Sequence, residues 1–152
     1  MSDRALSLRV SRRGVSLRLL AQTVPKSILL AYTVKVADYA FGQMYRNAPW
    51  RSGYLAQSIR KEVSETDAKV YPTAEYAKVV EKGSGPHVIY PARSSVLAFE
   101  AGMLGGVVFC KRVNHPGSRA NPFVALTATE TRDNAEKLFL EAYAEHVGEA
   151  MQ

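Results

Sequence analysis

The apolar positions fall into distinct spacings, and each spacing predicts an element. Leu29, Leu30, Val34, Val36, Ala37, Ala40, Phe41 and Met44 gather on one side when plotted at about 100° per residue, with Lys35, Asp38, Gln43 and Arg46 opposite and Tyr32, Tyr39 and Tyr45 at the borders. This predicts a long helix with Pro25 in its first turn. It ends near Asn47, because the residue before Pro49 is pushed away from helical angles. Its apolar side is wide enough to cover a sheet and touch another subunit. Upstream, Leu6, Leu8 and Val10 alternate with Ser7 and Arg9 as in a half-buried strand. Ser11-Arg12-Arg13-Gly14 makes a turn, and Val15 to Leu20 is either a returning strand or a short helix, the reading we prefer.

Downstream, Trp50-Arg51-Ser52-Gly53 is a turn, and Leu55 to Val63 reads as extended with Ile59, Lys61 and Val63 on one face. Ser64-Glu65-Thr66-Asp67 is strongly turn-forming, and Ala68 to Tyr71 returns to complete a hairpin. A short helix follows, with Thr73 at its cap after Pro72 and Tyr76, Val79 and Val80 on its buried face. Gly83 sits where a helix end needs a left-handed residue, and Ser84-Gly85-Pro86 stops any regular element.

Loop extends from Gly83 to Ser95 around a short strand His87-Val88-Ile89-Tyr90. Val96 to Phe99 and Val107 to Cys110 read as strands joined through Gly102, Gly105 and Gly106. Asn114 to Ala120 reads as an exposed loop. Asn121-Pro122 reads as an N-cap with proline at the first helical position. The last helix then runs to near Val147, roughly 40 Å at 1.5 Å per residue, with Ala128, Ala135, Leu138, Phe139 and Ala142 inside. The class is α+β: a small antiparallel β-sheet packed by a long helix in the N-terminal half and a long C-terminal helix, with extended loops.

Composition adds limits. At 152 residues and 47% apolar the chain is read as one domain, 1–152, with a basic arm over 1–22 and a core over 25–147. No apolar run is long enough to span a membrane, and the mixed Leu/Arg start lacks the features of a signal peptide. Cys110 is the sole cysteine, so an intrachain disulfide framework is ruled out and a reducing compartment fits. The net charge is +6, with Arg4, Arg9, Arg12, Arg13 and Arg18 concentrated near the start as a candidate interaction surface.

No chemistry-bearing constellation emerges. Gly83-Ser84-Gly85 lacks the helix and lysine of a phosphate loop. His87, His115, His146 and Cys110 show no metal-ligand spacing, and Cys110 reads as a small buried apolar residue. Glu62, Glu65, Glu75 and Glu81, near Lys61, Lys78 and Lys82, read as solvated faces. Tyr45, Arg46, Trp50, Arg51 and Tyr54 approach the basic–aromatic interleaving of a nucleic-acid surface. The preferred reading instead packs Trp50 and Tyr54 under the loop. No catalytic, cofactor-binding or metal site is expected, and the chain is not read as an enzyme.

Four patterns, in order, carry a resemblance. Ala48-Pro49-Trp50-Arg51-Ser52-Gly53-Tyr54-Leu55-Ala56-Gln57-Ser58-Ile59 resembles the Pro, Thr/Ser-Gly, Leu, Ser-Ile signature of the phage tail-component family, the small neck and tail-completion proteins of long-tailed phages. Tyr76-Ala77 with Val80-Glu81-Lys82-Gly83-Ser84 is similar to its Tyr-Ala, Val-Glu-Gly-Thr segment, and Val96-Leu97-Ala98-Phe99 to its mid-chain strand. His115-Pro116-Gly117 and Ala120-Asn121-Pro122-Phe123 are similar to its closing signature. Ser52 and Ser84 stand where threonine is commoner, and the arginine-rich start is outside the signature.

The resemblance implies a structural virion protein, a tail-completion or head–tail joining subunit that connects the tail to the DNA-filled capsid. Its implied partners are further copies in a ring, with a hexamer expected, adjacent head-closure or adaptor and tail-terminator rings, and the tail tube protein. DNA in the channel would lie close without sequence being read, and no membrane or cofactor is implied. Its implied place is the virion neck or tail, with host cytoplasm during assembly. The loops over Gly83–Ser95 and Gly102–Gly106 and the basic arm are the expected docking segments. The competing class is a small basic nucleic-acid-binding protein or assembly factor not retained in the particle. An enzyme would need His87, His115 and acidic residues to cluster in space.

Overall fold

The structure, a computed structural model, describes residues 8–11, 24–64, 67–101 and 105–150. The expectations for Arg4, Leu6, Arg12, Arg13, Arg18, the Val15–Leu20 element, Glu65, Thr66 and Gly102 lie outside the described residues. The elements are β1 (Leu8–Ser11), α1 (Lys26–Asn47), α2 (Tyr54–Gln57), β2 (Ile59–Val63), β3 (Asp67–Pro72), α3 (Ala77–Lys82), β4 (His87–Ile89), β5 (Leu97–Ala101), β6 (Gly106–Cys110), β7 (Val113–His115), α4 (Phe123–Asp133) and α5 (Ala135–Ala150). The class is α+β.

β1, β3 and β2 form an antiparallel sheet in that spatial order, with Leu8 opposite Val70, Ser11 opposite Asp67, Ile59 opposite Pro72 and Val63 opposite Ala68. α1 packs on this sheet with its C-terminal half. Ala40, Met44, Leu55, Ala56, Ile59, Val70, Ala77, Phe123 and Val124 form one continuous core. The N-terminal half of α1 meets α5 instead, where Tyr32, Val36, Leu138 and Ala142 pack together and Phe139 sets its ring edge-on to Tyr32 at 5.5 Å.

This second neighbour rotates the buried side of α1. Tyr32 and Thr33 are buried, whereas Leu30 and Val34, expected inside, are exposed. α5 lies on the Tyr32 side of the helix, so the two aliphatic residues on the opposite border receive no cover. Thr33 satisfies its hydroxyl on Leu29 O at 2.7 Å, which makes a buried threonine tolerable mid-helix. The ends of α1 agree with the expected signals: Pro25 precedes Lys26, and Ala48 before Pro49 adopts an extended ψ of 127°.

Three sequence-derived boundaries are corrected. Leu55 does not begin an extended segment: Tyr54–Gln57 is a single helical turn, and β2 starts at Ile59. Gly53 enters that turn with φ 76°, and the Ser58 hydroxyl closes it on Leu55 O at 2.7 Å. The face Ile59, Lys61, Val63 is buried only at Ile59; Lys61 reaches Asp38 on the polar border of α1 instead. Asn114 to Ala120 is not all loop, since Val113–His115 is a strand. The last helix is not continuous: Asn134 leaves helical geometry at φ −97°, ψ 1° and bonds back to Glu130 O through its side chain at 2.9 Å. The Asn134 amide also donates to Glu130 O, at 3.2 Å, so one carbonyl takes both groups of Asn134 at the break between α4 and α5. Of the expected inner stripe, Leu138 and Ala142 are buried, while Ala128, Ala135 and Phe139 are half-buried. The deepest positions of α4 are Phe123, Val124, Thr127 and Thr131.

Candidate assembly interface

The described residues within 84–118 form two nested antiparallel ladders, together one two-stranded ribbon. Ser84 bridges to Ser118, His87–Ile89 pair with Val113–His115, and Leu97–Ala101 pair with Gly106–Cys110. Between the two ladders, Tyr90 to Val96 on one side stand against only Lys111 and Arg112 on the other, so the longer side bulges out as an irregular loop. The strands of this ribbon pair with each other and not with the β1-β3-β2 sheet. None of its described residues is buried.

Two-stranded ribbons are marginal in water, because they lack a third strand or a helix to cover their apolar side chains. This ribbon carries exposed apolar residues on both faces. Val107 and Phe109 share a face with Ala98 and Glu100; Leu97, Phe99, Val108 and Cys110 share the other. Val88, Ile89 and Tyr90 extend the exposed apolar surface towards the base. Cys110 is half-buried, not buried as its neighbours suggested.

The ribbon joins the body through a rigid neck. Ser84 and Ser118 exchange both backbone hydrogen bonds at 3.0 Å, and their hydroxyls lie 3.1 Å apart. On either side stands a glycine at positive φ, Gly83 at 72° and Gly117 at 93°. A Cβ on Gly83 would lie 2.5 Å from Ser118 O, and one on Gly117 would lie 2.2 Å from Ser84 O. Only glycine permits both the conformation and the approach. The repeated Gly-Ser pair, at 83–84 and 117–118, was a visible signal of this pairing.

The neck is fastened to the helices by Glu81. Its side chain, expected on a solvated face, is buried and accepts hydrogen bonds from Val124 N at 2.9 Å and Ala125 N at 3.1 Å. These are orphan amides of the first turn of α4, where a negative charge also meets the positive end of the helix dipole. Asn121 does not cap this helix through its side chain, as its position suggested, since Pro122 precedes the first helical residue without a side-chain cap bond. A residue 43 positions away supplies the cap. Asn121 N instead donates to Val80 O at 2.9 Å. Thr73 likewise does not cap α3; its hydroxyl and amide both donate to Ser58 O.

Burying Glu81 rotates α3 from the expected face: Ala77 and Glu81 face inward, Tyr76 before the helix and Val79 are exposed, and Val80 is half-buried and packs on the core as expected. Trp50 and Tyr54 are corrected in the same sense: at 67% and 60% exposure they lie on the surface and not under the loop. The Trp50 ring lies against Gly53, where a Cβ would be 2.8 Å from it, and Tyr54 stacks on Tyr76 with centroids 6.1 Å apart. These residues border an open groove of about 590 Å³ lined by Pro49, Arg51, Ser52, Gly53, Leu55, Tyr76 and Val80.

The histidines fall in two places on the described residues. His87 and His115, distant in sequence, face each other across β4 and β7 with ring centroids 4.9 Å apart. His87 Nδ1 lies 2.9 Å from Gly85 O, and His115 Nδ1 accepts from Gly117 N at 3.1 Å, so both rings brace the neck. His146 lies on Ser27 at the far end. Among the described residues no group of three or more His, Cys, Asp or Glu side chains could hold a metal ion, and no helix is long and apolar enough to cross a membrane. Comparison with family models, with curated proteins and with solved structures finds no match to the chain.

Proposed function

We propose that this chain is a structural subunit of a phage neck or tail, a tail-completion or head–tail joining protein that assembles with copies of itself and with adjacent rings. The observation that carries the reading is the ribbon within 84–118, which exposes Phe99, Val107 and Phe109 while no other strand or helix among the described residues covers them. Exposed apolar surface of this kind marks a protein–protein contact. Three of the four segments that carry the family resemblance meet in space, which supports their being one unit, and the fourth lies in the ribbon. Leu55, Ile59, Ala77 and Phe123 share a core, Gly83-Ser84 meets Gly117-Ser118, and Leu97–Phe99 form the outer ribbon. Cryo-electron microscopy of purified virions tests the reading. Density for a ring of this chain between portal and tail tube supports it, and absence from the particle overturns it.

A second reading has its own observation. Arg93, Lys111 and Arg112 are all exposed at the bulge of the ribbon beside the exposed Tyr90, in a chain of net charge +6. Cations beside an aromatic ring suit the backbone and bases of single-stranded nucleic acid. A DNA affinity that falls steeply with added salt would favour this reading. The ring reading expects weak affinity for free DNA.

A further inference from the structure

We propose that the ribbon of one copy docks in the Trp50–Tyr54–Tyr76 groove of the next copy, through the face that carries Phe109, Val107 and Glu100. This deepens the proposed function, since it rests on the chain being a self-assembling subunit and names the contact.

The two surfaces are complementary in kind. The groove has apolar walls from Pro49, Leu55 and Val80 and is also lined by Tyr76 and Arg51, with Trp50 lying against Gly53 of the lining and Tyr54 stacked on Tyr76 beside it. Trp, Tyr and Arg are the residues most enriched where truncation costs an interface most. The ribbon face presents an exposed phenylalanine and an exposed valine. It also carries Glu100, the sole acidic residue between positions 82 and 129. No acidic residue lines the groove, where Arg51 stands. One carboxylate on the insert and one guanidinium on the receptor fix an orientation as well as an attraction.

Neither surface is satisfied inside one chain: Phe109 is 66% exposed and Trp50 67%. The ribbon leaves the body directly after α3, whose Tyr76 and Val80 line the groove, and the glycine-held neck fixes its departure. Insert and receptor are different surfaces of the same chain, so the contact is head-to-tail. Repetition of such a contact gives a ring when the rotation closes.

The test uses the full chain and two variants at exposed positions, Phe109→Glu on the ribbon and Tyr54→Glu at the edge of the groove, where it stacks on the lining residue Tyr76. Native mass spectrometry and analytical ultracentrifugation read their assembly. The wild type self-associates, and each variant alone weakens that association about thirtyfold or more. Mixed one to one, they form a heterodimer and nothing larger, because one intact groove then meets one intact ribbon. A variant that had merely misfolded could not be rescued in this way. Glu100→Arg and Arg51→Glu each weaken association about two- to fivefold, and combining them in one chain restores it. A mixture that stays monomeric, a single variant that assembles like wild type, or a wild-type chain that is monomeric at every concentration overturns the contact. The ring reading fails by a different result, absence of the chain from purified virions.

Discussion

The carboxylate of Glu81 accepts the Val124 amide at 2.9 Å and thereby joins the end of α3 to the start of α4. The same carboxylate takes the Ala125 amide at 3.1 Å. The ribbon lies in the chain between these two helices. Glu81 therefore closes the loop from which the whole 84–118 excursion departs.

Replacing Glu81 with alanine leaves the buried Val124 amide and the partly buried Ala125 amide without their acceptor and removes a charge from the helix N-terminus. The expected loss is about 2 kcal/mol, a fall in Tm of roughly 4–8 °C for a chain of this size. Glu81→Gln keeps one acceptor oxygen and should lose about half as much. Denaturant unfolding of the three proteins checks the order.

Gly117→Ala should break the neck. The new methyl would meet backbone at 2.2 Å, in a conformation that side chains rarely adopt. A cost of at least about 1–3 kcal/mol follows, localised to the ribbon. Hydrogen exchange at the Ser84 and Ser118 amides should accelerate by about tenfold or more. Gly85→Ala is the control, because nothing lies within 4 Å of the added carbon and exchange should stay near wild type.

Two phenylalanines should behave oppositely. Phe123 is 1% exposed at the junction of α4 with the main core, so Phe123→Ala should destabilise the chain by about 3–5 kcal/mol. Phe109→Ala removes only a cross-strand neighbour from an uncovered ribbon and should cost the isolated chain less than about 1 kcal/mol. Thermal unfolding at a concentration where the chain is monomeric separates the two.

Stability should fall at alkaline pH. Burial raises the Tyr32 phenol above its ordinary 10.0. The hydrogen bond to Glu62 raises Tyr71, and the bond to Glu145 raises Lys35 above 10.5. Each group holds its proton more tightly when folded, so its contribution is complete below the unfolded pKa and is lost as pH rises through the folded one. Tyr32→Phe should flatten the decline above about pH 10, measured by urea midpoints across the range.

The hydrophobic pattern of the sequence was enough for α1 and its proline boundaries, for the β2–β3 hairpin, for the β5–β6 pair and for the left-handed glycine at 83. These follow from local spacing or from backbone chemistry confined to a few residues. Side-chain orientation on short elements was not legible in the same way. In α3 an apolar pattern pointed to Tyr76 and Val79 as the buried face, yet burial follows Glu81, because two helix amides more than 40 positions away require an acceptor. Trp50 and Tyr54 looked like core residues by type and lie on the surface beside a groove, while Leu55 and Ile59 of the same stretch take the core positions. The segments around His87 and His115 looked like separate loops. Only the closure of Ser84 on Ser118 makes them one ribbon, since pairing across so long a gap depends on where the helices hold its two ends.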